Sequence, residues 1–253
     1  MDINELLSSG ELDNLPIRVK TSRQVTTETL TERLVKKPSY SLFNWDAFNK
    51  TIGGIREREF SIICGPTGVG KTTLIANMAA NIAAQNIPVF IGSVEITTSD
   101  FQEIMISAVT KKSIDSLDDK KIREAAICFP QIFNSEKNVV FSPYDTRVKP
   151  RQLLEDLLVS HRQFGTKVAF IDNLNFLLEV GGDRNQLVEM DQAVHDFVIF
   201  TKKIPMHIFM IMHPKKTEGG RVESEFDIKG SSTSVQEASN VMLWNRLRQP
   251  ADA

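Results

Sequence analysis

The sequence GPTGVGKT at positions 65–72 constrains the fold of this chain more than any other feature. It matches the phosphate-binding pattern G-x-x-x-x-G-K-[ST], which joins a β-strand to the N-terminus of an α-helix. An apolar run, 60–64, precedes it, and apolar residues at helical spacing follow it as far as Gln85. This context argues against a chance match. It predicts a site for ATP or another nucleoside triphosphate, because glycines and a helix N-terminus offer backbone N–H groups to phosphates.

The residues of this site have separate expected roles. The Lys71 ammonium should reach the β- and γ-phosphates, the Thr72 hydroxyl should ligate Mg²⁺, and Thr73 is a weaker candidate for an α-phosphate contact. Asp172 ends an apolar run, 168–171, and should hold the same Mg²⁺ mainly through water, with a helix-capping aspartate as the alternative. The residues expected to line the nucleotide are Gly65, Pro66, Thr67, Gly68, Val69, Gly70, Lys71, Thr72 and Thr73.

Apolar runs alternate with helical patterns from Ser41 onward. Strands are predicted over 60–64, 89–92, 139–141, 168–171, 207–212 and 241–244. Helices are predicted over 71–85, 149–164 and 186–202, with helical segments between 99 and 129. This alternation predicts an α/β fold in which a mostly parallel sheet carries helices on both faces.

Composition bounds the number of domains. The chain has 253 residues, of which 41% are hydrophobic, and this suits one main α/β domain. We expect that domain over 43–253, after a polar N-terminal arm and linker over 1–42 with helical spacing at 26–35. The arm is open to two interpretations, a disordered tail or a helix that packs on a neighbouring subunit.

The remaining composition argues against a membrane protein and a zinc protein. No apolar stretch is long enough to span a bilayer, and the N-terminus lacks the features of a signal peptide. We therefore expect a cytosolic-type compartment, either a bacterial or phage-infected cytoplasm or the mitochondrial matrix. Cys64 and Cys128 cannot form a zinc site by themselves and are interpreted as core residues. With a net charge of −2, any contact with nucleic acid must come from a local cluster.

Two more candidate residues follow predicted strands. Glu95 lies just past the second strand and is the best-placed carboxylate to activate water, although its position alone also fits a surface glutamate. His213 follows the fifth strand, where an imidazole could sense the γ-phosphate and pass that state into the next loop. A purely structural histidine is the alternative there.

Five segments in order resemble a known family of replicative helicases. They are GPTGVGKTT at 65–73, GSVEI at 92–96, IDNL at 171–174, IMHPKK at 211–216 and GSSTSVQEASNV at 230–241. Together they resemble the helicase domain of Twinkle-type enzymes, that of phage primase-helicases and, more distantly, the DnaB family. The resemblance covers about Phe43 to Trp244.

The resemblance implies a RecA-like core that assembles into a hexameric ring, with ATP at subunit interfaces and single-stranded DNA in the central channel. It makes Glu95 the expected catalytic glutamate, His213 the expected γ-phosphate sensor and Gln236 a candidate for coupling the nucleotide to DNA. It also implies that Arg246 lies near the nucleotide base.

The resemblance also implies that DNA contacts two loops, here about 179–186 and 215–232. The second loop has a net charge near zero, so we expect DNA affinity to depend on ring avidity and salt, with a merely solvated loop as the alternative. The candidate DNA-binding residues are Lys215, Lys216, Lys229, Gly230 and Ser231.

Family members continue past the strand that matches 241–244 into further strands. These carry a Lys-x-Arg finger, which reaches the γ-phosphate bound by the neighbouring subunit. This chain ends at Ala253 with only Arg246 and Arg248 available, so either the sequence is a truncated piece or the natural protein lacks the finger. We expect feeble ATP hydrolysis by this chain alone. We expect priming to come from another chain, and a separate primase or loader is an expected partner.

These inferences favour an ATP-dependent DNA helicase motor domain. Two alternatives remain open. One is a recombinase-type or clock-protein-type RecA relative, against which the segment 230–241 argues. The other is a nucleotide-binding assembly module with little turnover.

Overall fold

The computed structural model of the chain describes residues 21–34, 39–111, 118, 120, 138–142, 148–173, 183–215, 221–229 and 232–246. The chain divides into two compact units, 1–38 and 39–253. In the first unit, helix α1 covers Ser22–Leu34 and so begins four residues before the predicted helical spacing. A reciprocal cap explains the earlier start: the Gln24 amide donates to Thr21 Oγ1 over 3.3 Å, and the Thr21 amide donates to Gln24 Oε1 over 2.8 Å.

The second unit is built on a six-stranded sheet. A separate antiparallel pair joins β1 (Ser39–Tyr40) to β2 (Ile55–Arg56). The six main strands are β3 (Phe60–Cys64), β4 (Val89–Ser93), β5 (Val139–Phe141), β6 (Val168–Asp172), β7 (His207–Met212) and β8 (Asn240–Leu243). Their order across the sheet is β5-β4-β6-β7-β3-β8, and every neighbouring pair is parallel. The predicted parallel α/β sheet is confirmed.

Four of the described helices of this unit correspond to predicted ones, whereas Asp46–Ile52 and Ser232–Glu237 were not predicted. The helices are α2 (Asp46–Ile52), α3 (Lys71–Ala83), α4 (Thr98–Thr110), α5 (Pro150–Phe164), α6 (Asp183–Lys203) and α7 (Ser232–Glu237). Pro150 opens α5, and Gly165 ends it in a left-handed conformation with φ +73°. The helical segments predicted beyond α4, as far as 129, lie outside the described residues apart from 111, 118 and 120. Among the helices that the structure describes, none combines the length and the hydropathy of a membrane span.

Two hydrophobic cores lie on the two faces of the sheet. Because strand side chains alternate between faces, Ile62 and Met210 contribute to the core under α5 and α6, while Ile63 and Phe209 contribute to the core under α3 and α4. Cys64 is fully buried, and burial raises the pKa of its thiol to about 12, so it stays neutral as a core residue. Cys128 lies outside the described residues.

The parallel arrangement brings all strand ends to one edge. Each of five strands is followed by, or ends in, a predicted site residue or a residue next to the site. In sheet order these are Glu95 after β4, Asp172 at the end of β6, His213 after β7, the phosphate-binding loop after β3 and Trp244 after β8. Ligands of open α/β sheets bind outside the carboxyl ends of the strands. The fold therefore gathers the predicted site residues at the edge where a ligand is expected.

Candidate active site

The conformation of the phosphate-binding loop requires glycine, as Gly70 and Gly65 show. Gly70, the residue before α3, has φ +88°, a conformation that residues with a Cβ rarely adopt. Gly65 meets the chain leaving β8, since a Cβ there would lie 2.2 Å from the backbone oxygen of Trp244. The first turn of α3 consequently presents its free N–H groups beside a tightly folded loop, which suits an anion.

Lys71 is buried beneath this loop. Its ammonium donates to the backbone oxygens of Gly65 over 2.8 Å and Pro66 over 2.9 Å. Burial lowers the pKa of Lys71, while the negative charges of Glu95 and Asp172 act in the opposite direction. The ammonium is thus held where it can exchange two carbonyl partners for phosphate oxygens.

Thr72 and Asp172 meet across the edge of the sheet. The Thr72 hydroxyl donates to Asp172 Oδ2 over 2.6 Å, and the other carboxylate oxygen, Oδ1, is buried with no hydrogen-bond partner among the described residues. Burial raises the pKa of Asp172 to about 6, partly offset by the Thr72 hydrogen bond. A hydroxyl and a carboxylate with an unused oxygen match the oxygen ligands that Mg²⁺ prefers. The residues present therefore fit a magnesium site.

Asn173 joins the two other predicted catalytic residues. Its side-chain nitrogen donates to Glu95 Oε2 over 2.6 Å and lies 2.9 Å from His213 Nε2. Asn173 itself has no exposed surface, whereas Glu95 is exposed. Burial lowers the pKa of His213, and the positive charge of Lys71 acts in the same direction. A buried amide thus holds an exposed carboxylate and a neutral imidazole together.

The turn that carries Glu95 is anchored on both sides. The Ser93 hydroxyl donates to the Ile96 carbonyl over 3.1 Å and accepts from the Ile96 amide over 3.3 Å. The amide of Val94 donates to the backbone oxygen of Asp172 over 2.7 Å. Thr97 then caps α4 by accepting from the Asp100 amide over 3.1 Å. Glu95 therefore projects from a short, fixed turn.

The segment after His213 forms one side of a hairpin. Pro214 pairs with Ile228 in an antiparallel bridge, which is flanked by hydrogen bonds from the Lys215 amide to the Asp227 carbonyl (2.6 Å) and from the Lys229 amide to the His213 carbonyl (3.0 Å). The predicted DNA-binding residues Lys215 and Lys229 thus lie on the two paired segments of one hairpin. We refer to residues 213–215 and 221–229 as the sensor hairpin.

A short turn in the second segment of the sensor hairpin exposes an aromatic ring. The 3₁₀ turn Glu225–Asp227 is held by Asp227 Oδ2, which accepts from the amides of Glu223 (2.8 Å) and Ser224 (3.0 Å). Phe226, in the middle of this turn, is 67% exposed, and its backbone oxygen accepts from the Lys215 ammonium over 2.9 Å. Sequence reasoning did not single out Phe226, because nothing in the local pattern shows which way such a ring faces.

The other predicted residues are placed as follows. Thr73 is exposed in the first turn of α3, Gln236 is exposed on α7, and Arg246 is exposed just after β8. Of the predicted DNA-facing loop 179–186, only 183–186 are described, and they belong to α6 rather than to a loop. Lys216, Gly230 and Ser231 lie outside the described residues, as does Arg248.

Asn173 and Trp244 are site residues to which the sequence pattern assigned no role. The Trp244 indole donates to the Val69 carbonyl over 3.0 Å, and its amide donates to the Cys64 carbonyl over 2.7 Å. Trp244 therefore supports the phosphate-binding loop from β8. The position of Asn173 directly after Asp172 was the available signal for its proximity to the site.

Solved structures share this architecture. A solved ATPase domain superimposes with a TM-score of 0.68 at 14% identity, covering 87% of this chain and 82% of the other. A DnaB-like replicative helicase, solved in a study of its interactions with primase, superimposes with a TM-score of 0.66 at 14% identity, covering 93% of this chain and 60% of the other. These likenesses confirm the predicted RecA-like fold.

Sequence comparisons assign the family. The replicative DNA helicase DnaB of Treponema pallidum (strain Nichols) is 23% identical over 211 residues, which are 81% of this chain and 48% of that protein. The chain thus spans about half the length of this curated relative. The family model for the DnaB-like helicase C-terminal domain matches residues 43–249. The chain therefore belongs to the DnaB-like helicase C-terminal domain family.

Proposed function

We propose that this chain is the ATP-driven motor domain of a replicative DNA helicase, and that it couples hydrolysis of MgATP to movement along single-stranded DNA within a hexameric ring. The observation that carries the proposal is the row of chemical groups at one edge of one parallel sheet: Lys71 with Thr72, Asp172, Glu95 and His213. Family membership supports the same function.

Nucleotide binding follows from the loop geometry. The first turn of α3 offers N–H groups to the phosphates, and Lys71 exchanges the carbonyls of Gly65 and Pro66 for β- and γ-phosphate oxygens. Thr72 and Asp172 would hold Mg²⁺, which when bound neutralises charge that develops on the phosphate oxygens. ATP is the expected nucleotide, and another nucleoside triphosphate would meet the same phosphate groups.

Water activation falls to Glu95. Its carboxylate is exposed at the sheet edge and is fixed by Asn173, which suits a general base that must reach a water molecule beside the γ-phosphate. His213 can donate a hydrogen bond to that phosphate while its backbone oxygen remains bonded to the Lys229 amide at 3.0 Å. A change at the γ-phosphate can thereby reach the sensor hairpin.

The sensor hairpin is the proposed contact with single-stranded DNA. Lys215 and Lys229 can approach phosphates, and the exposed ring of Phe226 on the same hairpin offers a face for base stacking. Glu223, Glu225 and Asp227 reduce the local positive charge. We therefore expect weak binding by one subunit and stronger binding by a ring, because several hairpins then engage one strand.

The partners of the whole protein extend this proposal. One structural neighbour is a DnaB-like replicative helicase that interacts with primase. We infer that a separate primase or loader works with this chain. The bacterial relative supports action in a bacterial or phage-infected cytoplasm.

Steady-state ATP hydrolysis, measured with and without single-stranded DNA at high protein concentration, tests the proposal. Lys71→Ala serves as the blank, and Glu95→Gln should bind MgATP like wild type but lose turnover by about a hundredfold or more. Glu103→Gln, an exposed glutamate on α4, is the matched control and should retain activity. ATP binding without DNA-stimulated turnover would instead support an assembly module, and full activity of Glu95→Gln would refute the role of Glu95.

A further inference from the structure

We propose that Asn173 is a positioning residue that couples the catalytic carboxylate of Glu95 to the γ-phosphate sensor His213. The inference rests on the proposed ATPase function and assigns a role to a residue within that site. Its basis is one buried amide that lies within hydrogen-bond distance of both partners, at 2.6 Å from Glu95 Oε2 and 2.9 Å from His213 Nε2.

The orientation of the Asn173 amide is determined by chemistry. An ionised carboxylate can only accept hydrogen bonds, so the amide must present its NH₂ group to Glu95. The second proton of the same NH₂ group is then available to His213 Nε2, which must accept it with its lone pair. The remaining ring proton of neutral His213 consequently lies on Nδ1, and this N–H is the one that can donate to a phosphate.

The two contacts share a single rigid anchor. Asn173 follows β6 and is fully buried, so its side chain has little freedom, whereas the Glu95 side chain is exposed and would otherwise sample several rotamers. Both hydrogen bonds come from one NH₂ group and together fix the plane of the amide, so a displacement of His213 toward the nucleotide removes one of the two bonds and lets the amide turn relative to Glu95. The sensor and the base therefore respond to the nucleotide together.

A role in packing alone does not explain this residue. The side-chain oxygen Oδ1 of Asn173 is buried and has no hydrogen-bond partner among the described residues. A buried polar atom without a partner is unfavourable, and an apolar residue of similar shape would avoid that penalty. What an apolar residue would lack is the NH₂ group, which is the part of Asn173 that contacts Glu95 and His213.

Substitutions of Asn173 test the coupling. Asn173→Leu keeps the number and branching of the side-chain heavy atoms without the donor, and Asn173→Asp keeps the shape but repels Glu95. Both should lower DNA-stimulated kcat about tenfold or more, while the affinity for a non-hydrolysable MgATP analogue stays within about twofold of wild type. Asn49→Leu is the matched control: it removes an amide that bonds twice to the Leu42 backbone, at 2.8 and 2.7 Å, and should lower Tm without changing kcat.

A double-mutant cycle separates coupling from a local structural effect. Adding His213→Ala to Asn173→Leu should lower kcat by less than the product of the two single effects. Strictly multiplicative effects would overturn the proposal, as would unchanged kcat in both Asn173 variants or a loss of nucleotide affinity that matches the loss of kcat.

A measurement on the unaltered chain keeps the proposal testable even if the variants fail to fold. The ¹⁵N shifts of the His213 ring should show the proton on Nδ1, and a proton on Nε2 would overturn the proposal. This result does not depend on turnover. If wild type hydrolyses ATP no faster than Lys71→Ala, the proposed function fails, whereas the tautomer still reports on the contact with Asn173.

Discussion

Acid should destabilise the fold through His207, a histidine buried at the start of β7. Its ring is fully buried and is held by two hydrogen bonds: Nδ1 lies 2.7 Å from the Arg56 carbonyl, and Nε2 lies 2.9 Å from the Ser61 hydroxyl. The carbonyl can only accept, so Nδ1 carries the proton and Nε2 accepts from Ser61. The Ser61 oxygen in turn accepts from the side-chain nitrogen Nδ2 of Asn240 over 3.0 Å. This chain of donors is satisfied only while His207 is neutral.

The magnitude follows from the pKa of this ring. Burial lowers the pKa of His207 from its ordinary value of 6.5 to about 4, although the hydrogen bond to Arg56 and the charge of Glu59 oppose the effect. The unfolded chain therefore binds the proton more tightly, so the free energy of unfolding decreases as pH falls from 6.5 toward 4. Linkage gives a loss of about 2 kcal/mol between pH 7 and pH 5, and ~3 kcal/mol below both pKa values.

Asp172 acts in the opposite direction over the same range. Its pKa is raised by burial to about 6 from 3.8, so the folded state holds its proton more tightly and gains stability as pH falls through 6. The total pH dependence of the chain would partly conceal the effect of His207. An Asp172→Asn background removes the opposing contribution.

The assay is urea unfolding at pH 7 and pH 5 in that background, with and without His207→Gln. The glutamine keeps a donor and an acceptor but does not titrate. The stability difference between the two chains should shrink by about 2 kcal/mol on going from pH 7 to pH 5. A stability difference that is the same at both pH values would refute the argument that His207 is neutral in the folded chain and that its protonation there is unfavourable.

Three further predictions concern the site. Gly65→Ala should lower Tm and change tryptophan fluorescence, because the added Cβ would lie 2.2 Å from the backbone oxygen of Trp244. Such overpacking costs about 1–3 kcal/mol of stability. An unchanged Tm would contradict this close approach. Phe226→Ala should weaken single-stranded DNA binding by about 1–3 kcal/mol in a fluorescence-anisotropy titration. It should not lower Tm, since the ring is exposed. Equal affinities of the variant and the wild type would exclude stacking. Thr72→Val should raise the pKa of Asp172 further, because the Thr72 hydrogen bond lowers that pKa. In ¹³C NMR the carboxyl group of Asp172 should titrate at higher pH in the variant. An unchanged titration would contradict the role of this hydrogen bond.

The strands were predictable because buried parallel strands are continuous apolar runs. The segments 139–141 and 207–212 appear with the predicted bounds, and 168–171 is extended only by Asp172. The two-residue strands β1 and β2 were not predicted, since two residues carry no periodicity. Helix α1 was predicted to start too late because its cap, Thr21 with Gln24, lies outside the apolar spacing.

The site was predictable as a set of residues but not as a set of contacts. The phosphate-binding pattern identified Lys71 and Thr72, and the end of an apolar run identified Asp172, because both signals are local. The partners of Asn173 could not be read from the sequence, since Glu95 and His213 come from strands on either side of β6. The roles of these residues stay predictions: Lys71, Thr72 and Asp172 in binding MgATP, Glu95 and His213 in turnover, and Gln236 in coupling the nucleotide to DNA.

In the proposed mechanism, the strand order gives the nucleotide state two routes to the sensor hairpin. β7 and β8 lie on either side of β3, which leads into the phosphate-binding loop. The hairpin continues β7 through His213. It is also tied to the end of β8, because Asn245 accepts from the Val222 amide over 3.0 Å and donates to the Val222 carbonyl over 2.8 Å. A shift of the loop after β3 therefore acts on the hairpin from both neighbours, so a variant that cuts only the Asn245 connection should weaken the DNA stimulation of ATP hydrolysis rather than abolish it.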